Sequence, residues 1–241
     1  MKLKYFIVFI LFFSLCCYAD NKYNVLLNPS ELGKGSVITG ANTHTLFILD
    51  YSNSMNEMLF EKTKYEMLLE SMKTILTKMS SENSVGVRIY GQRWGFTQYD
   101  SCRASNLIVP IGQGNFDSIP KSLAKYSPRG MTPITYSLKQ AVMKDFKGLD
   151  GDKHIILITD GGENCDESPC KYAMELIKYR KDIKIDVIAF NIDNDDDLDQ
   201  LECVASVTKG KLYNADTKAD LIKSLNHAFK AKKEVDAKII Y

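Results

Sequence analysis

Lys153–Thr159 contains His-Ile-Ile-Leu-Ile-Thr, a continuous apolar run of strand length, with Asp160 at its end. Strands exposed on one face alternate apolar and polar residues, so an unbroken run demands burial on both faces. Parallel sheets covered by helices on both sides meet that demand. Ile185–Phe190 reads as a second buried strand, Thr45–Leu49 as an apolar strand ending at Asp50, and Val85–Tyr90 as a strand stopped by Gly91. Between the strands the period changes. In Glu61–Met79 the apolar residues Tyr65, Leu68, Leu69, Met72, Ile75, Leu76 and Met79 recur at spacings of mostly three and four, the signature of an amphipathic helix. Phe116–Tyr126, Ile134–Phe146, Tyr172–Tyr179, Leu198–Val207 and Thr217–Lys232 read as further helices, and Lys211–Asn214 as a short strand. Leu107–Ile111, interrupted by Pro110, suits a sheet edge. Strands alternating with helices predict a doubly wound α/β fold, with a mostly parallel sheet and helices on both faces.

The N-terminus reads as a targeting segment. Lys2 and Lys4 precede an apolar stretch from Tyr5 to Leu15 that is too short to span a bilayer as a helix. This pattern predicts a signal peptide over residues 1–19, with cleavage after Ala19. Lipidation at Cys16 or Cys17 is the alternative, though neither follows the small residue that such a site wants. The expected location is therefore outside the cytoplasm, most simply the periplasm, with the cell surface or secretion as alternatives. Membrane association would come only through this segment, if uncleaved or lipidated. Residues 20–43 lack periodicity and read as a lead-in. The main domain is expected over 44–232 and a tail over 233–241. With 31 basic and 30 acidic residues the net charge is +1, which offers no field for nucleic acid.

Removal of the leader leaves Cys102, Cys165, Cys170 and Cys203. An even number in an exported chain predicts two disulfides, with three pairings open. No histidine lies near the one close pair, Cys165 and Cys170, so zinc is the weaker reading.

In doubly wound sheets, sites form at the carboxyl ends of strands. The first strand ends in Asp50-Tyr51-Ser52-Asn53-Ser54. In an extended turn, alternate side chains share a side, so Asp50, Ser52 and Ser54 would converge. Asp160 ends the central apolar run, and Thr132 sits in a glycine turn opening a helix. Five oxygen donors without His or Cys suit Mg²⁺, with Mn²⁺ or Ca²⁺ as alternatives. The bland alternative is that Ser52, Ser54 and Asp160 merely cap turns and helices.

At these positions the chain resembles the von Willebrand factor type A domain family. Asp50, Ser52 and Ser54 match its Asp-x-Ser-x-Ser motif, Thr132 its lone threonine, and Asp160 the second aspartate of its metal-ion-dependent adhesion site. Gly130-Met131-Thr132-Pro133-Ile134 and Asp160-Gly161-Gly162-Glu163 look like exported bacterial members. The likeness runs from about Thr45 to Lys232. It implies an antiparallel edge strand, direct metal ligation by the serines and threonine, aspartates acting largely through water, and a protein partner supplying Asp or Glu. It also implies that all four late cysteines lie at the metal end, in loops or helix starts. Tyr51 departs from the family, which often has a small residue there, so the rim of the site is expected to differ.

A Mg²⁺-dependent hydrolase is the competing class. It would need an Asp-x-Asp motif or a general base at the strand ends, and His44 and His154 precede strands, at the opposite end. A scaffold whose site no longer binds metal is the third reading. Asp193–Asp199 fails the calcium-loop pattern, with Leu198 where glycine is needed, and reads as an acidic helix start. Trp94, with Arg93, Phe96 and Tyr99, reads first as loop packing and second as a recognition surface.

Overall fold

A computed structural model describes residues 43–237. The leader, Cys16 and Cys17, nearly all of the lead-in, and the last four residues of the tail lie outside them.

The strands are β1 (His44–Asp50), β2 (Met58–Leu59), β3 (Lys62–Thr63), β4 (Ser84–Tyr90), β5 (Ser105–Gly112), β6 (Lys153–Thr159), β7 (Ile183–Phe190) and β8 (Leu212–Ala215). The helices are α1 (Lys64–Leu76), α2 (Gln98–Ser101), α3 (Ser118–Leu123), α4 (Ile134–Gln140), α5 (Pro169–Tyr179), α6 (Asp195–Val207) and α7 (Lys218–Ala237). A π-helical turn over Ala141–Asp145 continues α4. The main sheet has the order β5-β4-β1-β6-β7-β8. Its pairs are parallel except β4 with β5, so the Pro110 strand is an antiparallel edge. The winding direction reverses between β1 and β6, and the strand ends Asp50 and Asp160 flank that reversal.

Alternation within each strand divides the interior into two cores. Phe47, Leu49, Ile156 and Ile158 face α1, α3 and α7 on one side. Leu46, Ile48, Ile155 and Leu157 face α4, α5 and α6 on the other. Every residue of β6 is buried, as its unbroken apolarity required.

Several boundaries differ from the sequence reading. The helix expected from Glu61 starts at Lys64, because Thr63 caps it: Thr63 Oγ1 accepts the Glu66 N–H, and the Glu66 carboxylate accepts from Thr63 N. The residues before it form the antiparallel hairpin β2–β3, too short to leave a periodic signal. The last helix runs past Lys232 to Ala237. The π-helical turn precedes Phe146 and contains Asp145, whose carboxylate binds Arg88 Nε and a terminal nitrogen at 2.6 and 2.7 Å.

Candidate metal centre

Three backbone segments meet at the carboxyl ends of β1, β4 and β6. Ser52 forms an isolated parallel bridge with Gly130, and Asn53 N donates to Gly130 O at 2.9 Å. Gly130 N donates to Gly91 O at 2.6 Å. Gly91 has φ +74°, and a Cβ there would lie 2.6 Å from Ser52 N, so the crossing of these loops requires glycine.

Asp50 is fully buried at the end of β1. Its Oδ1 accepts from Ser52 N at 2.6 Å, and its Oδ2 accepts from Tyr90 Oη at 2.9 Å and Thr159 Oγ1 at 2.8 Å. The Ser52 and Ser54 hydroxyls lie 3.0 Å apart, and Ser54 Oγ donates to Asp160 Oδ1 at 2.7 Å. The motif therefore converges as expected, by a different geometry. Ser54 lies within a 3₁₀ turn, Asn53–Asn56, rather than an extended segment. Ser52 stands at the N-cap of that turn with no side-chain capping bond, and Asp160 accepts from two side chains, so capping does not explain them.

Thr132 is brought beside the Ser52 loop by the bridge at Gly130 and is buried. Thr132 N donates to Asn164 Oδ1 at 2.7 Å, and no described residue hydrogen-bonds its hydroxyl. The neighbouring Glu163 carboxylate accepts from Thr135 N at 2.7 Å and Cys165 N at 2.9 Å. Asn164 and Glu163 thus hold the threonine loop, a role that sequence reading missed and that no local spacing announces.

Sequence reading also missed Lys64. Its Nζ donates to Asp160 Oδ2 at 3.1 Å and to Glu57 Oε2 at 2.9 Å. Burial opposes its charge, but those two acids hold the ammonium protonated. For the acids of the site it is the charged form that is disfavoured. Burial, and then the charge of Asp160, push Asp50 up from its ordinary value despite its donors. Burial also raises Asp160, with Ser54 and Lys64 offsetting part of it. Burial pushes Glu163 up to about 7.

The donor set fits a hard cation: two mutually repelling carboxylates, two hydroxyls in contact and a third hydroxyl unused. It holds only two acids. Among the described residues, no group of three or more His, Cys, Asp or Glu side chains is gathered to hold a metal.

The surroundings correct two expectations. Tyr51 does not shape the rim. It is fully buried, edge-on to Tyr65 with ring centroids 5.1 Å apart, and its hydroxyl donates to Leu123 O. Trp94 and Phe96 are not packed: they are 61% and 106% exposed. Tyr99 is also exposed, with the Arg103 guanidinium 3.4 Å over its ring. Met58 and Phe60 are exposed on the hairpin between Glu57 and Lys64. Exposed apolar side chains thus stand on two loops that border the site.

The cysteines pair as Cys102–Cys165 and Cys170–Cys203. The first ties the Trp94 loop to the segment holding Thr132. The second joins α5 to α6. Cys203 lies in the third turn of α6 rather than at a helix start, because the bridge reaches along the helix from the first turn of α5. The acidic residues Asp195–Asp197 occupy the first turn of α6, capped by Asn194, as the bland reading expected.

Residues 44–214 match the family described as von Willebrand factor type A domain. The Bacillus subtilis protein YwmC is 28% identical over 188 residues, covering 76% of this chain and 81% of its own. The fold is similar to that of proximal thread matrix protein 1 from the mussel byssus, solved with a zinc-occupied MIDAS motif. There the TM-score is 0.59 at 19% identity, over 83% of this chain and 47% of that one. It is also similar to the pilus adhesin SpaC from Lactobacillus rhamnosus GG, with TM-score 0.59 and 15% identity over 84% of this chain and 31% of that one.

Proposed function

The chain belongs to the von Willebrand factor type A domain family, and on that premise we propose that it is an exported protein-binding module that takes a partner's Asp or Glu carboxylate through a divalent cation, in the first place Mg²⁺. The observation that carries this reading is the convergence of Ser52, Ser54 and Asp160 in one hydrogen-bonded group beside buried Asp50, with the Thr132 loop bridged to it. The three hydroxyls of Ser52, Ser54 and Thr132 would hold the ion directly, and Asp50 and Asp160 would act largely through water. When bound, the ion supplies an electrophilic position that a carboxylate can occupy. Neutral ligands leave most of its charge for that purpose. The apolar side chains bordering the site give a protein partner additional contact area. Zinc in the MIDAS motif of the mussel protein and the similarity to the pilus adhesin SpaC support the same class of function.

Catalysis is the second reading, and the geometry offers it little. His154 is buried at the opposite end of the sheet, with Nε2 2.8 Å from Asp186 Oδ2. Asp50 is fully buried, with Ser52 N, Tyr90 Oη and Thr159 Oγ1 as its hydrogen-bond donors, so a substrate's proton would not reach it directly.

The test is calorimetric titration of Mg²⁺ and Mn²⁺, followed by crosslinking capture of one partner with and without chelator. Wild type binds near one equivalent. Asp50→Ala and Asp160→Ala abolish binding, and Thr132→Ala loses the captured partner without a change of charge. Equal capture by wild type and Thr132→Ala, in Mg²⁺ and in chelator, would overturn the reading.

A further inference from the structure

Lys64 occupies a position that local rules disfavour twice. It is the first residue of α1, where the helix dipole repels a cation, and its side chain is only 6% exposed. The capping box beneath it forms without its help. What its burial achieves is contact with the site. Its ammonium takes one oxygen of Asp160, while the other oxygen of the same carboxylate accepts from Ser54. Its second acceptor, Glu57, has a side chain 65% exposed and is largely solvated. Asp50 receives no such help: its donors are an amide and two hydroxyls, all neutral.

We propose that Lys64 is a built-in counter-cation that weakens the site's intrinsic affinity for a divalent ion and so makes cation binding and carboxylate binding depend on one another. The inference rests on the metal-dependent reading above. Asp50 and Asp160 together would match the charge of a divalent ion, leaving nothing to attract a further anion. With Lys64 fixed on Asp160, and its other acceptor Glu57 65% exposed and screened by solvent, the buried part of the assembled site keeps one positive charge in excess. An incoming Asp or Glu side chain cancels it. The same ammonium keeps Asp160 paired when no ion is present, so the fold does not wait for metal. Lys64 is a positioning and charge-setting residue rather than a ligand.

The experiment is Mn²⁺ titration of the purified protein by electron paramagnetic resonance, with far-UV circular dichroism confirming the fold of each variant. Lys64→Met is expected to bind Mn²⁺ about ten-fold more tightly than wild type, since a nearby charge has been removed from a shielded site. Lys64→Arg keeps the charge and is expected to stay within about three-fold of wild type. A lysine that served packing alone would leave Mn²⁺ binding unchanged in Lys64→Met. Unchanged or weaker Mn²⁺ binding in folded Lys64→Met, or tightening in Lys64→Arg equal to that in Lys64→Met, overturns the proposal. Should Lys64→Met fail to fold, Glu57→Gln decides. That change touches an exposed side chain and commits Lys64 wholly to Asp160, so Mn²⁺ binding should weaken by a few-fold; unchanged binding overturns the proposal. Asp50→Ala should abolish binding in every background. If it does not, or if wild type and Lys64→Met both fail to bind, the metal-dependent reading itself falls.

Discussion

Both ends of the sheet bury aspartates, and they treat them in opposite ways. At the amino end, Asp182 receives Arg180 through two bonds of 2.8 Å and Lys153 at 3.1 Å. Asp186 receives His154 and Lys184, each at 2.8 Å, and the Lys211 amide. Burial pushes both acids up, but their hydrogen bonds and cations outweigh it and hold them below the ordinary value. At the carboxyl end, Asp50, Asp160 and Glu163 have fewer cations to call on, and burial carries all three upward. Four of these five acids are buried aspartates and the fifth, Glu163, is half-buried; the supply of positive charge separates the two ends. One end is electrostatically complete and serves stability. The other is left short of positive charge, which is the condition a cation site requires.

The sharpest way to break this comparison is to make the same substitution at both ends. Asp186→Asn strands His154 and Lys184 on a fully buried amide and should cost about 3–5 kcal/mol. Asp50→Asn removes a carboxylate that repels Asp160, so in chelator it should leave stability unchanged or raise it, while abolishing Mg²⁺ binding. Thermal unfolding of both variants in chelator measures the contrast. Equal losses at the two ends would end it.

The disulfides divide along a related line. Removing either bridge should cost about 2–4 kcal/mol. Only Cys102→Ser with Cys165→Ser should also weaken Mn²⁺ binding, since Cys165 adjoins the Asn164 and Glu163 that hold the Thr132 loop. Cys170→Ser with Cys203→Ser should leave the ion's affinity unchanged. Mass spectrometry of the non-reduced protein, four hydrogens lighter than the reduced form, checks that both bridges are present.

How much of this was legible in the sequence follows from the range of each interaction. The β6 run needed only its own residues, and its observed limits are those read from the apolar pattern. Asp50 and Asp160 were legible because each ends a strand. Lys64 was not: it falls inside a helical pattern, and its partner Asp160 is 96 residues away. The disulfide pairing and the exposure of Trp94 likewise depend on which loops become neighbours, and local pattern does not carry that. The hairpin at Met58–Thr63 is too short to show any period.

A pH series separates the two ends without mutation. Acids with lowered values stabilise the fold above about 3.8, and that contribution is lost as pH falls through their folded values. Acids with raised values act the other way. Glu163, with an ordinary value of 4.5 and a folded value of about 7, contributes most below 4.5 and loses that contribution as pH rises towards 7. Denaturant unfolding in chelator should therefore show greater stability near pH 5 than near pH 8, by an amount on the order of 2 kcal/mol. Added Mg²⁺ should recover part of the loss at pH 8, and a chelator-insensitive profile that rises steadily with pH would contradict the assignment. The smallest effect is expected at the rim. Trp94→Ser and Phe96→Ser should change stability by less than about 0.5 kcal/mol, because their side chains are exposed. The same changes should weaken capture of a protein partner.

The crossing of Ser52, Gly91 and Gly130 is held by main-chain groups, and a side chain at Gly91 or Gly130 would collide with neighbouring backbone. A junction of that kind has no slack to take up and none to give. On the function proposed above, engagement of a ligand there would be a docking event onto a surface already in shape, with little ordering entropy lost at the moment of contact. The approach of the partner, rather than a gate in this chain, would then set the association rate. Differences in residence time among ligands would be decided at the loops around the crossing, which can vary in sequence without disturbing it.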